Sequence, residues 1–156
     1  MSFYQFQRTQ KIPANLDRVW NFISAPANLK KITPANMGFE ITSGNAGASM
    51  YEGMIISYHV KPVFNIKTLW VTEITHVVPK KYFVDEQRIG PYKMWHHQHK
   101  LEEINGGVLM TDIISYQPPM GFLGKIANTI LIQNELKKIF DFRTKALEDL
   151  FGRWEN

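Results

Sequence analysis

Apolar and polar residues alternate over residues 3–12. Phe3, Gln5, Gln7 and Thr9 fall on one side, and Tyr4, Phe6, Arg8, Gln10 and Ile12 on the other. A period of two predicts a strand, and either face can carry the aromatics. Pro13 stops it, and Asn15 stands where it can cap a helix beginning at Leu16 by accepting a free backbone N–H. Leu16, Val19, Trp20 and Ile23 then form one apolar stripe at helical spacing. Pro26 ends that helix, and Asn28 to Ile32 reads as a short second helical turn before Thr33-Pro34.

From there to Pro118 the pattern is one of strands and turns. Phe39–Ser43 is a short strand before the Gly44–Gly47 turn, and Gly53–Val60 is the next, interrupted by Pro62. Ile66, Thr68, Trp70, Thr72 and Ile74 share one face of a third. Pro79-Lys80-Lys81 turns the chain into Tyr82–Arg88, and Gly90-Pro91 turns it again into Lys93–Ile104. Asn105-Gly106-Gly107 is a strong hairpin signal, because these residues tolerate positive φ, and Val108–Gln117 closes the meander.

After Pro118-Pro119 a long helical pattern runs to about Phe151. Leu136, Phe140, Leu147 and Leu150 lie on its apolar stripe. The order strand, helix pair, antiparallel meander, long helix predicts an α+β architecture in one domain over 1–156. A curved antiparallel sheet around one long helix must fill its concave face with side chains, and where they are too small a cavity remains.

Charge and composition narrow the function classes. The net charge of +4 is spread over lysine pairs such as Lys30-Lys31, Lys80-Lys81 and Lys137-Lys138. A nucleic-acid face would cluster them among exposed aromatics, so no nucleic-acid partner is expected. With no cysteine there is no disulfide framework and no thiol nucleophile. The N-terminus lacks the pattern of a secretory leader, and no apolar run approaches the roughly 20 residues of a membrane span. A cytoplasmic chain without stable membrane insertion is the expectation, as a monomer or, through exposed edge strands, a weak homodimer.

Several segments resemble one known superfamily. Phe83, Asp85 and Gln87 at alternate positions are followed by Gly90-Pro91 and by Trp95-His96-His97-Gln98-His99. Thr111-Asp112 with Tyr116, Pro119-x-Gly121-x-Leu123-Gly124 and Ile139-Phe140-Asp141-x-Arg143 come later, and Trp70-x-Thr72-x-Ile74 earlier. Together they resemble an uncharacterised bacterial branch of the SRPBCC superfamily, the START-like and polyketide cyclase-like ligand-binding proteins. Leu101 departs from the pattern, standing where a phenylalanine is common. The resemblance implies a helix-grip (START-like) fold, with a curved antiparallel sheet, two short helices after strand 1 and an internal cavity. It implies neither a particular activity nor a cofactor or metal.

The candidate chemistry lies where polar residues share a face with apolar ones. Trp95, His97, His99 and Leu101 have one parity and the large apolar anchors, so they should face inward. Met110, Asp112, Ile114 and Tyr116 compete with the almost equally apolar Leu109, Thr111, Ile113 and Ser115. Parity leaves both open, and the resemblance favours the first set. Arg143 lies midway between Phe140 and Leu147 on the helix stripe, which aims it at the sheet. A buried guanidinium needs partners, and Asp85 and Asp112 are the natural ones. The expected ligand-contacting set is a polar nest of Asp85, Gln87, His97, His99, Asp112 and Arg143 in a wall of Trp70, Trp95, Met110 and Tyr116. The same groups could instead only hold the helix to the sheet.

His97 and His99 at i, i+2 with Asp112 could also share a metal ion, but neutral histidines bonded to carboxylates are commoner, and no metal is expected. Ser57 and Ser115 have no base beside them in the pattern, which leaves nucleophilic catalysis without support. The leading expectation is a binding module for a small amphipathic or aromatic metabolite, acting as carrier or sensor. The alternative is a cyclase, dehydratase or isomerase using His97, His99 and Asp112 as acid and base. The bend-prone stretch Pro119–Gly124, beside Ile126, Ile130 and Leu131, reads as a gate or as a helix start.

Overall fold

The alternating N-terminal segment forms strand β1 (Tyr4–Ile12), whose inward face carries Tyr4, Phe6, Arg8, Gln10 and Ile12. The computed structural model describes residues 3–45, 47–61, 66–119 and 131–155. Of the expected gate Pro119–Gly124, residues 120–124 lie outside them. Helix α1 (Leu16–Ile23) begins as its cap predicts, with the Arg18 N–H donating to Asn15 Oδ1 at 2.8 Å. The second helical turn is a 3-10 segment, Pro26–Ile32, followed by another at Ala35–Met37.

The meander comprises β2 (Glu40–Ile41), β3 (Met54–Val60), β4 (Thr68–Val78), β5 (Tyr82–Ile89), β6 (Met94–Ile104) and β7 (Gly107–Gln117). Helix α2 (Gln133–Phe151) follows. Among the described residues the strands form one antiparallel sheet of seven in the order β1-β7-β6-β5-β4-β3-β2. β1 and β2 therefore lie at opposite edges, and α1 with the 3-10 segments carries the chain from one edge to the other. Gly106, at φ +87°, makes the β6–β7 hairpin turn that Asn105-Gly106 signals.

The pattern misses three local features. The register of β4 against β5 shifts between Ile74 and His76, an extra residue that returns Val77 to the inner face opposite Phe83. Ile66 precedes β4 and is exposed, so the inner face of that strand is Trp70, Thr72 and Ile74. The stripe of α2 buries Leu136, Phe140, Arg143 and Leu147, but Leu150 is 40% exposed. One step further round, Phe151 meets the ring of Phe22 edge-on and ends the stripe in its place.

The core divides around the concave face. One cluster joins Val19, Trp20 and Ile23 of α1 to Phe83, Leu101, Met110 and Leu147. A second packs Leu136 and Phe140 on Ile114 and Tyr116. Two smaller ones line β3 and β4, around Trp70 and around Ile56. Between them lies the cavity.

Candidate functional site

Strand register and one helical stripe bring five ionisable side chains together. Across β5–β6, Asp85 stands opposite His97, and across β6–β7, His99 stands opposite Asp112. Alternation turns all four to the inner face, and α2 lowers Arg143 onto them. His97 and His99 are each 6% exposed, Asp112 3% and Arg143 7%. Such groups persist in an interior only by neutralising and hydrogen-bonding one another.

The contacts converge on one oxygen. Asp112 Oδ1 accepts from His97 Nε2 at 2.8 Å, and lies 3.0 Å from His99 Nδ1 and 3.6 Å from Arg143 Nη1. His99 Nε2 donates to Asp85 Oδ2 at 2.6 Å. Both nitrogens of His99 thus face carboxylates. His97 Nδ1 is 3.6 Å from Asp85 Oδ2, beyond hydrogen-bond reach. The imidazoles lie tilted by 35° with centroids 3.7 Å apart, and His99 stacks on Phe83 at 4.1 Å.

This geometry sets the protonation states. Burial works against a charge on His99, but the Asp112 and Asp85 hydrogen bonds outweigh it and raise its pKa above the ordinary 6.5. Burial, then the neighbouring His99 charge, lowers His97 below the same value against the pull of Asp112 and Asp85. Burial would also raise both aspartates. For Asp112 the hydrogen bonds of His97 and His99 win, and for Asp85 that of His99 followed by nearby positive charge, so both stay ionised. With carboxylate oxygens 3.0 Å from Nδ1 and 2.6 Å from Nε2, both nitrogens of His99 are placed to donate, so the nest sets two carboxylates against one imidazolium and one guanidinium, with His97 donating from Nε2 alone.

Above the nest lies a cavity of about 150 Å³. Asp85, His97, His99 and Arg143 form its polar end, and Met110 lines it as well. Its wall holds an aromatic box in which Trp70 meets Trp95 edge-on at 5.2 Å and Tyr92 at 5.7 Å, and Tyr58 stacks on Trp70 at 6.1 Å. Burial, then the Asp85 charge, pushes the Tyr58 phenol well up, and burial does the same for Tyr92, so both remain hydroxyls.

Asp112 joins the nest as expected, but three of the expected residues do not line the cavity. Asp112 lies beneath the histidines rather than in the cavity wall, and Tyr116 is packed behind Trp95 and Tyr92, its phenol pushed up by burial to about 12. The Gln87 amide clasps the next turn: Nε2 donates to the Tyr92 carbonyl at 2.7 Å and Oε1 accepts the Tyr92 N–H at 3.2 Å. It orients Tyr92 instead of joining the nest. Sequence reasoning passes over Tyr58 and Tyr92. Tyr58 has the inward parity of Ile56 and Val60, but Tyr92 lies in the Gly90-Pro91 turn, where parity says nothing.

Asp85, His97 and His99 offer metal-ligand atoms all within 4.8 Å of one another, the one such group among the described residues. A cation there would have to displace the proton between His99 and Asp85 and sit near the Arg143 charge. No described helix is long and apolar enough to cross a membrane.

Comparison with known proteins adds the frame. No family model matches the chain, and no curated protein matches it in sequence. Solved structures do. A protein of Chromobacterium violaceum superimposes with a TM-score of 0.71 at 15% identity, over 96% of this chain and 99% of its own. Major latex-like protein 151 of Panax ginseng does so with 0.69 at 14%, over 96% and 97%. The fold is the helix-grip fold. A protein of Rhizobium leguminosarum, itself uncharacterised, shares this helix-grip arrangement with a TM-score of 0.69 at 13% identity, over 95% of this chain and 96% of its own. At such identities the likeness carries the fold alone.

Proposed function

We propose that the protein binds a small molecule of mixed polarity inside the helix-grip cavity and acts as its carrier or sensor. The observation that supports this is an apolar, aromatic-walled cavity of about 150 Å³ ending on a buried charged nest. Apolar walls supply burial, and a few convergent polar groups fix orientation, which is how small-molecule sites are built. A nest that only held helix to sheet would gain nothing from the space above it. The SRPBCC resemblance in the sequence points the same way.

Native mass spectrometry of the purified protein, against the same sample denatured, tests the reading. The expected result is an organic mass present only in the native spectrum, or acquired on incubation with a cell extract. A native spectrum that stays at the bare chain mass after such incubation counts against it.

One observation favours a second reading, an enzyme that moves a proton. His97 lines the cavity, and its Nδ1 lies 3.6 Å from the nearest carboxylate oxygen of Asp85. A lowered pKa keeps that nitrogen unprotonated near neutral pH, as a general base requires. Loss of turnover with retained binding in His97→Asn would favour the enzyme.

A further inference from the structure

The hydrogen-bonding groups around the cavity are unevenly spent. The Thr33 hydroxyl donates to the Leu29 carbonyl and that of Thr72 to the Glu86 carbonyl. Glu135, also in the wall, is paired with Lys138 at 2.7 Å. Arg143 is different. Its Nε and Nη1 are buried with no hydrogen-bond acceptor among the described residues; its approach to Asp112 is an ion pair at 3.6 Å, and its guanidinium lies on the Phe140 ring at 4.6 Å. Trp70 Nε1, across the cavity, is likewise buried without an acceptor among the described residues. Both groups can only donate, so the wall has donors to spare. A buried donor left unpaired is costly, and each such case in a folded protein calls for a partner.

Charge balance decides what kind of acceptor fits. Two carboxylates already face the Arg143 guanidinium and a His99 ring that has a carboxylate oxygen within 3.0 Å of each nitrogen and so donates from both. A ligand carboxylate would leave an excess negative charge in a low-dielectric site, and an ammonium an excess positive one. A neutral oxygen satisfies Arg143 and disturbs nothing. Size sets the rest. A dry cavity of about 150 Å³ elsewhere takes one benzene-sized ring, and the Trp70–Trp95–Tyr92 box offers such a ring flat and edge contacts.

Resting on the binding function proposed above, we infer that the ligand class is an uncharged, single-ring carbonyl compound whose oxygen accepts from Arg143. Arg143 is thereby the specificity-determining residue, and the carbonyl distinguishes the ligand from hydrocarbons and from carboxylates alike.

Acetophenone, benzoate, benzylamine and toluene, matched in ring and differing in polar group, provide the test, titrated by tryptophan fluorescence. Acetophenone is expected to bind roughly tenfold or more tighter than toluene, the scale of one hydrogen bond to a charged group, and tighter than either ion. In Arg143→Met the preference over toluene should fall to about twofold or less. In the wild-type protein, which needs no variant to fold, the carbonyl stretch of bound acetophenone should lie at lower frequency than in hexane. Benzoate binding tighter than acetophenone, or a bound carbonyl stretch like that in hexane, overturns the inference. Toluene binding as well as acetophenone overturns it while leaving the binding function standing. If none of the probes binds, the inference falls, while the binding function stands or falls with the native spectrum.

Discussion

Asp112 shows how much can hang on one oxygen. Its Oδ1 is approached by a histidine from each of two alternate positions of β6 and by the helix arginine. Removing a partner from such a buried set leaves uncompensated charge, typically costing about 3–5 kcal/mol. The two histidines also give stability opposite dependences on pH. His99 binds its proton more tightly folded than unfolded, so its contribution is full below 6.5 and is lost as pH rises through the folded value. His97 is the reverse: its contribution is present above 6.5 and is lost as pH falls through its lowered value. Thermal melts from mildly acidic to mildly alkaline pH should trace a maximum. His99→Gln should flatten its alkaline side and His97→Gln the nearer part of its acid side. The steeper loss at lower pH should persist in His97→Gln, where His99 still holds Asp85 and Asp112 below their ordinary 3.8, and should weaken in His99→Gln, which removes the main cause of the Asp85 shift. An alkaline side unchanged in His99→Gln would mean that no imidazolium stands between the carboxylates.

Among the elements, the β5–β6 turn carries the most consequence. A Cβ at Gly90 would overlap the Gln87 amide, which holds both backbone groups of Tyr92. Gly90→Ala should therefore break the clasp and cost about 1–3 kcal/mol in urea denaturation. Gln87→Ala should cost a similar amount, and the double variant little more than either, since one clasp is lost in all three. Additive losses would mean that the glycine acts through something else. This turn also marks where sequence reading stops. Trp95, His97 and His99 declare their face because alternation continues through them, and Arg143 declares its own by its place on the helix stripe. β7 does not, because its outer residues Leu109, Thr111 and Ile113 are themselves half-buried. They are flanked by Lys11, Thr9 and Gln7 on β1 and by Glu102, Lys100 and Gln98 on β6, whose aliphatic stems can cover apolar neighbours. The register shift near Thr75 and the folded-back amide of Gln87 are three-dimensional facts without a periodic signal, so Val77 and Tyr92 could not be assigned to the interior beforehand.

For the molecule as a whole, the cavity is the space left where the apolar clusters do not meet. Ile56 is buried on its wall at β3. Ile56→Phe should fill part of that space, weakening toluene binding roughly tenfold while leaving the melting temperature unchanged or raised, because filling a void offsets the strain of a larger side chain. A lower melting temperature with unchanged binding would indicate that the wall is already tightly packed at that point.

The order of the sheet has a further consequence, for biosynthesis. β1 pairs along its whole length with β7, so the first of these strands to leave the ribosome waits for the last. Pairings this distant in sequence close slowly, on a scale of roughly milliseconds to seconds. Until β7 arrives, the backbone groups of β1 stay open to neighbouring nascent chains. Helix α2 comes later still and brings Arg143 with it. Asp85 and Asp112 therefore remain hydrated through most of assembly, and the cost of taking them out of water falls on the final docking step.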